Sequence, residues 1–201
     1  LQSRGLGDVY KRQLQDIYPP EEVKALSMLI CCDMLGVDAL DIYMGKDIIL
    51  SACKQRELEN IIFRLQKNEP IQYIRGYAEF CGRNFRVAPG VLIPRPETAE
   101  LVDLIVKENP DARRLLDIGT GSGCIAISLD KNLPDAKVDA WDISEEALAI
   151  ARKNNEELDA QVTFRRQDVF SADGIQGASY DIIVSNPPYV TETEKTEMEA
   201  N

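Results

Sequence analysis

Two clusters of residues in this chain have the chemistry to hold a small polar molecule. The first is Asp117-Ile118-Gly119-Thr120-Gly121-Ser122-Gly123. Glycines between a strand and a helix let backbone N–H groups and a helix N-terminus approach a ligand closely. A dinucleotide fingerprint would place its third glycine one residue later, where this chain has Cys124, so the spacing argues against a nicotinamide cofactor. The second cluster is Asn186-Pro187-Pro188-Tyr189, directly after the run from Tyr180 to Val184. A β-branched apolar run suits a buried parallel strand, and two prolines end it because neither donates a ladder hydrogen bond. Asn186 is therefore expected at the carboxyl end of a strand, where open α/β sheets bind ligands. A carboxamide followed by rigid backbone is a clamp for a small planar group, and Tyr189 adds a flat face.

Two acidic positions complete the first cluster. Asp142 ends the strand after the glycine turn, where a carboxylate can accept both hydroxyls of a ribose; the alternative is a cap on the following helix. Asp168 follows the third strand and is expected near the base of the same nucleoside, with Val169 beside it offering only apolar contact. A nucleoside cofactor on one side and a planar nitrogen substrate on the other are thus expected.

Composition narrows the classes further. The chain has 201 residues, a formal net charge of −11 and a pI near 4.6, which argues against a broad grip on nucleic-acid phosphates. Five cysteines without a metal-ligand spacing, and no histidine, argue against zinc chemistry and His-based catalysis. No run approaches the roughly 18 apolar residues that a membrane helix needs, and no signal peptide is evident. A cytoplasmic monomer is expected.

The elements that must position these residues follow in order. Residues 1–13 are glycine-bearing and basic without helical or strand period, as in a foreign leader, and are set aside. A helix is expected from Pro19-Pro20-Glu21-Glu22 through Val23, Leu26, Ile30 and Met34 to Gly36, and a second from about Lys46 to Lys67. Residues 14–69 thus form a small helical domain. Short apolar stretches broken by glycine and proline over 70–96 predict a hairpin linker. Pro96 opens a helix with the stripe Leu101, Leu104 and Ile105. Residues 97–201 then alternate strand and helix: strands at 114–118, 138–142, 162–164 and 181–184, with Ser144 capping the helix after the second strand. Such alternation predicts an α/β domain with a doubly wound parallel sheet. The acidic tail from Thr191 to Asn201 has too few apolar residues to complete that sheet, so an incomplete C-terminus is expected.

Taken together, the glycine turn, Asp142 and Asn186-Pro187-Pro188-Tyr189 resemble class I S-adenosylmethionine-dependent methyltransferases acting on planar amino or amide nitrogens. Pro70-Ile-Gln-Tyr-Ile-Arg-Gly76 with Phe80 and Gly82, and Val91-Leu-Ile-Pro-Arg-Pro-Glu-Thr98, are similar to the release factor glutamine methyltransferase (HemK/PrmC) family. The resemblance covers residues 14–201. It implies a helical N-terminal substrate-binding domain, S-adenosylmethionine as cofactor, and N5-methylation of the glutamine in the Gly-Gly-Gln motif of class 1 peptide chain release factors. By position it implies that Gly119, Thr120, Gly121, Ser122, Gly123, Asp142, Asp168, Val169 and Asn186 touch the cofactor. It likewise implies that Asn186, Pro187, Pro188 and Tyr189 hold the glutamine, with Asn186, Pro187 and Tyr189 catalytic. The sequence departs from the family pattern at Ala99, Asp130 and Val169. Two other readings remain open at this point, an adenine N6-methyltransferase on nucleic acid and a non-catalytic fragment.

Overall fold

The computed structural model describes residues 12–44, 46, 48–171 and 179–187, and the chain divides into two compact units, 1–75 and 76–201. Pro188, Tyr189 and the acidic tail lie outside the described residues.

In the first unit, α1 spans Pro20–Met28 with proline in its first turn and continues as a π-helical stretch, Leu29–Met34. There the Leu35 N–H donates to the Ile30 carbonyl at 3.0 Å, and Gly36, at φ +65°, turns the chain away. A short α2, Ala39–Tyr43, precedes α3, Ala52–Gln66. The second helix predicted from residue 46 starts later, because the Ser51 hydroxyl caps it by accepting from the Lys54 N–H at 3.3 Å. Val23, Leu26 and Ile30 bury against Leu58, Ile61, Ile62 and Leu65, the helical spacing read from the sequence. Leu14 joins this core, and residues 12–14 are helical, so the described structure begins inside the stretch set aside as a leader. Residues Ile71–Arg75 form a one-turn helix, α4, opened by Pro70, where strand-like structure was expected.

The second unit opens with a hairpin, β1 (Tyr77–Phe80) and β2 (Arg83–Arg86), joined by Cys81-Gly82 with φ +47° and +69°. Two positive-φ residues give the turn whose twist matches that of the strands. Phe80 and Phe85 meet edge to face, with ring centroids 6.0 Å apart, inside the core of this unit. The hairpin is therefore one of the packed layers of the unit. Next, α5 (Pro96–Glu108) buries Thr98, Val102 and Ile105, while Leu104 is 50% exposed; the buried stripe is rotated from the predicted one.

The remaining elements are β3 (Arg114–Ile118), α6 (Cys124–Asn132), β4 (Lys137–Asp142), α7 (Glu145–Glu157), β5 (Thr163–Arg166) and β6 (Ile182–Ser185). The four strands form a parallel sheet in the order β5-β4-β3-β6. Six consecutive residues of α6, Cys124 to Leu129, are buried, Leu115 and Ala140 are fully enclosed in the same core, and Leu116, the next residue along β3, is fully buried on the opposite face of the sheet. As predicted, Ser144 caps α7 by accepting from the Ala147 N–H at 3.1 Å.

The register of β6 decides where Asn186 sits. At its start the Asp181 carboxylate accepts from the Arg113 and Arg114 N–H groups at 2.7 and 2.9 Å. At its end the Ser185 hydroxyl donates to the Ile118 carbonyl at 2.8 Å. Both ends of β6 are thus fixed to β3, with Ile118 opposite Ser185. Within β6 only Val184 is buried and Ile183 is 54% exposed, because among the described residues β3 is its only strand neighbour.

Candidate active site

The carboxyl ends of β3 and β6 meet at a pocket lined by Leu92, Pro94, Arg95 and Thr98, by Gly119 to Ser122, by Cys124 and Ile125, and by Asn186. Both predicted clusters therefore contribute to one cavity. Pro187 follows Asn186 and is exposed.

The three glycines of the turn serve different ends. Gly119 and Gly121 have φ +75° and +55°, and a Cβ added at either would meet nothing within 4 Å. At Gly123, φ +80°, a Cβ would come within 3.1 Å of Ala151 Cβ and Ile127 Cδ1. Gly123 lets α6 and α7 pack closely, whereas the first two leave open space where a ligand fits. Four of the five turn N–H groups are spent inside the protein. Gly119 and Thr120 donate to the Trp141 carbonyl at 2.8 and 3.0 Å, Gly121 to Asp142 Oδ2 at 2.8 Å, and Gly123 to the Thr120 carbonyl at 2.8 Å. What Gly119 and Gly121 offer is room, and the expectation that backbone donors face a ligand does not extend to these four positions.

Asp142 has a double task. Its Oδ2 holds Gly121 and its Oδ1 accepts from the Ser144 N–H at 3.0 Å, so it pins the glycine turn to the start of α7. Each carboxylate oxygen retains a second lone pair, which leaves capacity for the hydroxyls of a nucleoside. The Gln167 N–H donates to the Asp142 carbonyl at 3.0 Å, which brings the end of β5 beside the end of β4. Asp168 follows there, exposed, its Oδ1 accepting from the Phe170 N–H at 2.9 Å, and Val169 is 37% exposed. Neither lines the glycine pocket.

Three residues that shape this site are given no role of their own by the sequence: Thr98 and Asp117 stand only at the ends of motifs, and Asn154 is not singled out. Thr98, 8% exposed, accepts from Asn186 Nδ2 at 3.0 Å across 88 positions of sequence. Asn154 on α7, fully buried, donates from Nδ2 to the Ser122 carbonyl at 2.8 Å and to the Arg86 carbonyl at 3.1 Å, and its Oδ1 accepts from the Arg86 N–H at 2.6 Å. The third is Asp117, 1% exposed, whose Oδ2 accepts from the Thr120 hydroxyl at 2.7 Å.

Burial pushes the Asp117 carboxyl up to about 6, against the Thr120 hydrogen bond that favours its ionised form. A folded-state pKa above the ordinary 3.8 means that the folded protein holds this proton more tightly than the unfolded chain does. Ionisation of Asp117 therefore costs stability, with no cost below about pH 4, a rising cost up to about pH 6, and the full cost above. Asp117→Asn is expected to stabilise the second unit by about 1–3 kcal/mol near pH 7 and by almost nothing near pH 4. Urea unfolding at the two pH values checks this, and an equal change at both would refute it. Burial also pushes the Cys124 thiol up to about 12, so it faces the pocket as a neutral group.

Among the described residues no cluster of His, Cys, Asp or Glu could hold a metal ion, and no helix is long and apolar enough to cross a membrane.

Comparison with known proteins gives this geometry its context. The methyltransferase small domain matches residues 97–201, and the PrmC N-terminal domain matches residues 9–76. The release factor glutamine methyltransferase of Bacteroides thetaiotaomicron is 98% identical over 191 residues, covering 95% of this chain and 69% of the relative. The protein of the same name from Flavobacterium psychrophilum is 40% identical over 197 residues, covering 96% and 69%. Among solved structures, the Thermus thermophilus 16S rRNA N2 G1207 methyltransferase in complex with AdoMet and guanosine aligns over 58% of this chain and 33% of that one, at 25% identity and a TM-score of 0.49. The second unit has the class I methyltransferase fold, and the chain is an S-adenosylmethionine-dependent methyltransferase that belongs to the release factor glutamine methyltransferase family.

Proposed function

We propose that the chain transfers a methyl group to the side-chain amide nitrogen, N5, of the glutamine in the Gly-Gly-Gln motif of class 1 peptide chain release factors, in translation termination. The observation that carries this reading is the carboxamide of Asn186 lining the same pocket as Gly119 to Ser122. Its relatives bear the name release factor glutamine methyltransferase, which agrees with a glutamine substrate. The net charge of −11 favours a protein partner over a phosphate backbone. The helical unit is read as the part that engages the release factor, and the protein as a cytoplasmic monomer.

When bound, S-adenosylmethionine supplies a methyl group on a positively charged sulfur. Gly119 to Ser122 would make room for it with Gly123 closing the turn behind them, Asp142 would accept from its ribose hydroxyls, and Asp168 and Val169 would meet its base. An amide nitrogen is a weak nucleophile because its lone pair is delocalised into the carbonyl. The site therefore has to orient it. The substrate –NH2 donates one hydrogen bond to Asn186 Oδ1 and one to the Pro187 carbonyl, and Pro188 and Tyr189 are read as the rest of the clamp. With the cofactor bound, the held nitrogen would take the methyl group as the C–S bond gives its electron pair to sulfur, and the nitrogen would then give up one proton. Among the described residues lining the pocket none is a carboxylate or an imidazole, so that proton would pass to water after transfer.

Mass spectrometry of a class 1 release factor incubated with the chain and S-adenosylmethionine tests the reading. A mass gain of one methylene confined to the Gly-Gly-Gln glutamine is expected, and an unmodified release factor would sink it. For the cofactor, Asp142→Ala is expected to weaken S-adenosylmethionine binding by about ten- to hundredfold in calorimetry, since a charged hydrogen-bond acceptor and the tether on Gly121 go together. Unchanged affinity would remove Asp142 from the site.

A further inference from the structure

Asn186 presents a carboxamide, which can offer a donor or an acceptor in the same place depending on which way it is turned. A clamp for an –NH2 needs only acceptors. A clamp that offered its own –NH2 would instead suit a carboxylate or a carbonyl oxygen. Among the described residues the Asn186 side chain is held by Thr98, whose Oγ1 lies 3.0 Å from Nδ2.

We propose that Thr98 is a positioning residue that sets the substrate preference of the clamp. This rests on the glutamine reading above. In the structure the Thr98 hydroxyl oxygen accepts from Asn186 Nδ2, and with that end of the amide held at α5 the other end, Oδ1, is the group presented to substrate. The clamp then consists of two acceptors, Asn186 Oδ1 and the Pro187 carbonyl, and selects a primary carboxamide over the corresponding carboxylate.

Three features make Thr98 suited to this task. It is 8% exposed, so water competes poorly for its hydroxyl. It sits in the first turn of α5, directly after Pro96 and Glu97, on a helix whose Val102 and Ile105 are anchored in the core. Its partner follows β6, whose ends are tied to β3 by Asp181 and Ser185. Two rigid elements thus hold donor and acceptor at one separation, and the orientation is fixed before substrate arrives.

Thr98→Val keeps the shape and removes the hydroxyl, and Thr98→Ser restores it. In the valine variant kcat for release-factor methylation is expected to fall by about ten- to hundredfold, the serine variant recovering most of the loss. S-adenosylmethionine affinity by calorimetry is expected to stay unchanged in both, which a general loss of structure would not allow. A Gly-Gly-Glu version of the release factor is expected to inhibit the valine variant more strongly than the wild type, because the freed amide can turn its –NH2 toward a carboxylate. Heteronuclear NMR of the Asn186 side-chain amide gives a readout without turnover, with its proton shifts displaced in Thr98→Val and retained in Thr98→Ser. A valine variant with wild-type kcat or with undisturbed Asn186 amide shifts overturns the proposal. Should the wild-type chain modify no glutamine, the glutamine reading fails on its own, and the NMR comparison still decides the Thr98 contact.

Discussion

Asn186→Ala is expected to lower kcat for methyl transfer by about a thousandfold while S-adenosylmethionine continues to bind. The size follows from what the side chain does for a weak nucleophile. One preorganised hydrogen-bonding group at a reacting centre is worth roughly 10²–10³ in rate when removed, and here the same group also fixes the direction of attack, which draws on the larger proximity and orientation effect. The variant removes the oxygen that accepts from the substrate –NH2, and it strands the Thr98 hydroxyl at 8% exposure without its partner. The cofactor turn keeps its own supports, the Trp141 carbonyl and the Asp142 carboxylate, so cofactor affinity is expected to hold. A radiolabelled-methyl assay with parallel calorimetry separates the two quantities. Retained turnover would refute the clamp, and lost cofactor binding would mean that the contact of Asn186 with the cofactor, rather than the clamp, carries the loss.

The parts of this fold that were legible in the sequence are those governed by neighbours in the chain. Strand Arg114–Ile118 has the predicted bounds, Pro96 opens α5, and Ser144 caps α7, because proline geometry, a capping hydroxyl and a short apolar run ended by a glycine turn act over four or five residues. The parallel sheet follows from the alternation of strands and helices and from the need of a parallel strand for a crossover. Legibility declined where local signals conflicted or fitted two patterns equally. The one-turn helix Ile71–Arg75 is rich in β-branched and aromatic residues and reads as extended, yet the Tyr73 N–H donates to the Pro70 carbonyl at 3.0 Å. The stripe of α5 was misplaced by one position, with Val102 buried and Leu104 half exposed, since the two choices fit helical spacing almost equally.

The same division runs through the candidate site. Glycines at 119, 121 and 123 and the carboxamide at 186 are recognisable from residue type and spacing, because their chemistry is rare enough to stand out. Thr98 was visible only as the last residue of a motif, and Asn154 carried no signal at all. An asparagine within a helical pattern is ordinarily read as solvated, and its partners, Ser122 and Arg86, are 32 and 68 residues away. Hydrogen bonds of that span depend on packing of the whole unit, which periodicity does not encode.

Asn154 is therefore where the structure adds most, and its substitution is expected to produce the largest loss of stability. The amide works as a detached peptide group. It pairs with both the N–H and the carbonyl of Arg86 on β2 and uses its remaining donor on the carbonyl of Ser122 in the glycine turn. Asn154→Leu fills the space without serving any of the three. Each stranded buried backbone group costs about 1–3 kcal/mol, and because relaxation recovers part of this, a loss of about 3–5 kcal/mol is expected in urea unfolding. Arg86 also bridges α7 through Glu157, its Nε donating to Oε1 at 2.6 Å, but that pair is exposed, and Arg86→Ala is expected to cost at most about 1 kcal/mol. The contrast between the two variants isolates the backbone pairing from the ion pair. It also reaches the site, because Ser122 lines the pocket and its carbonyl is held by Asn154, so the protein that remains folded is expected to bind S-adenosylmethionine more weakly. An Asn154→Leu protein no less stable than Arg86→Ala would mean that water or local rearrangement serves the stranded groups, and that α7 does not hold hairpin and glycine turn together through this residue.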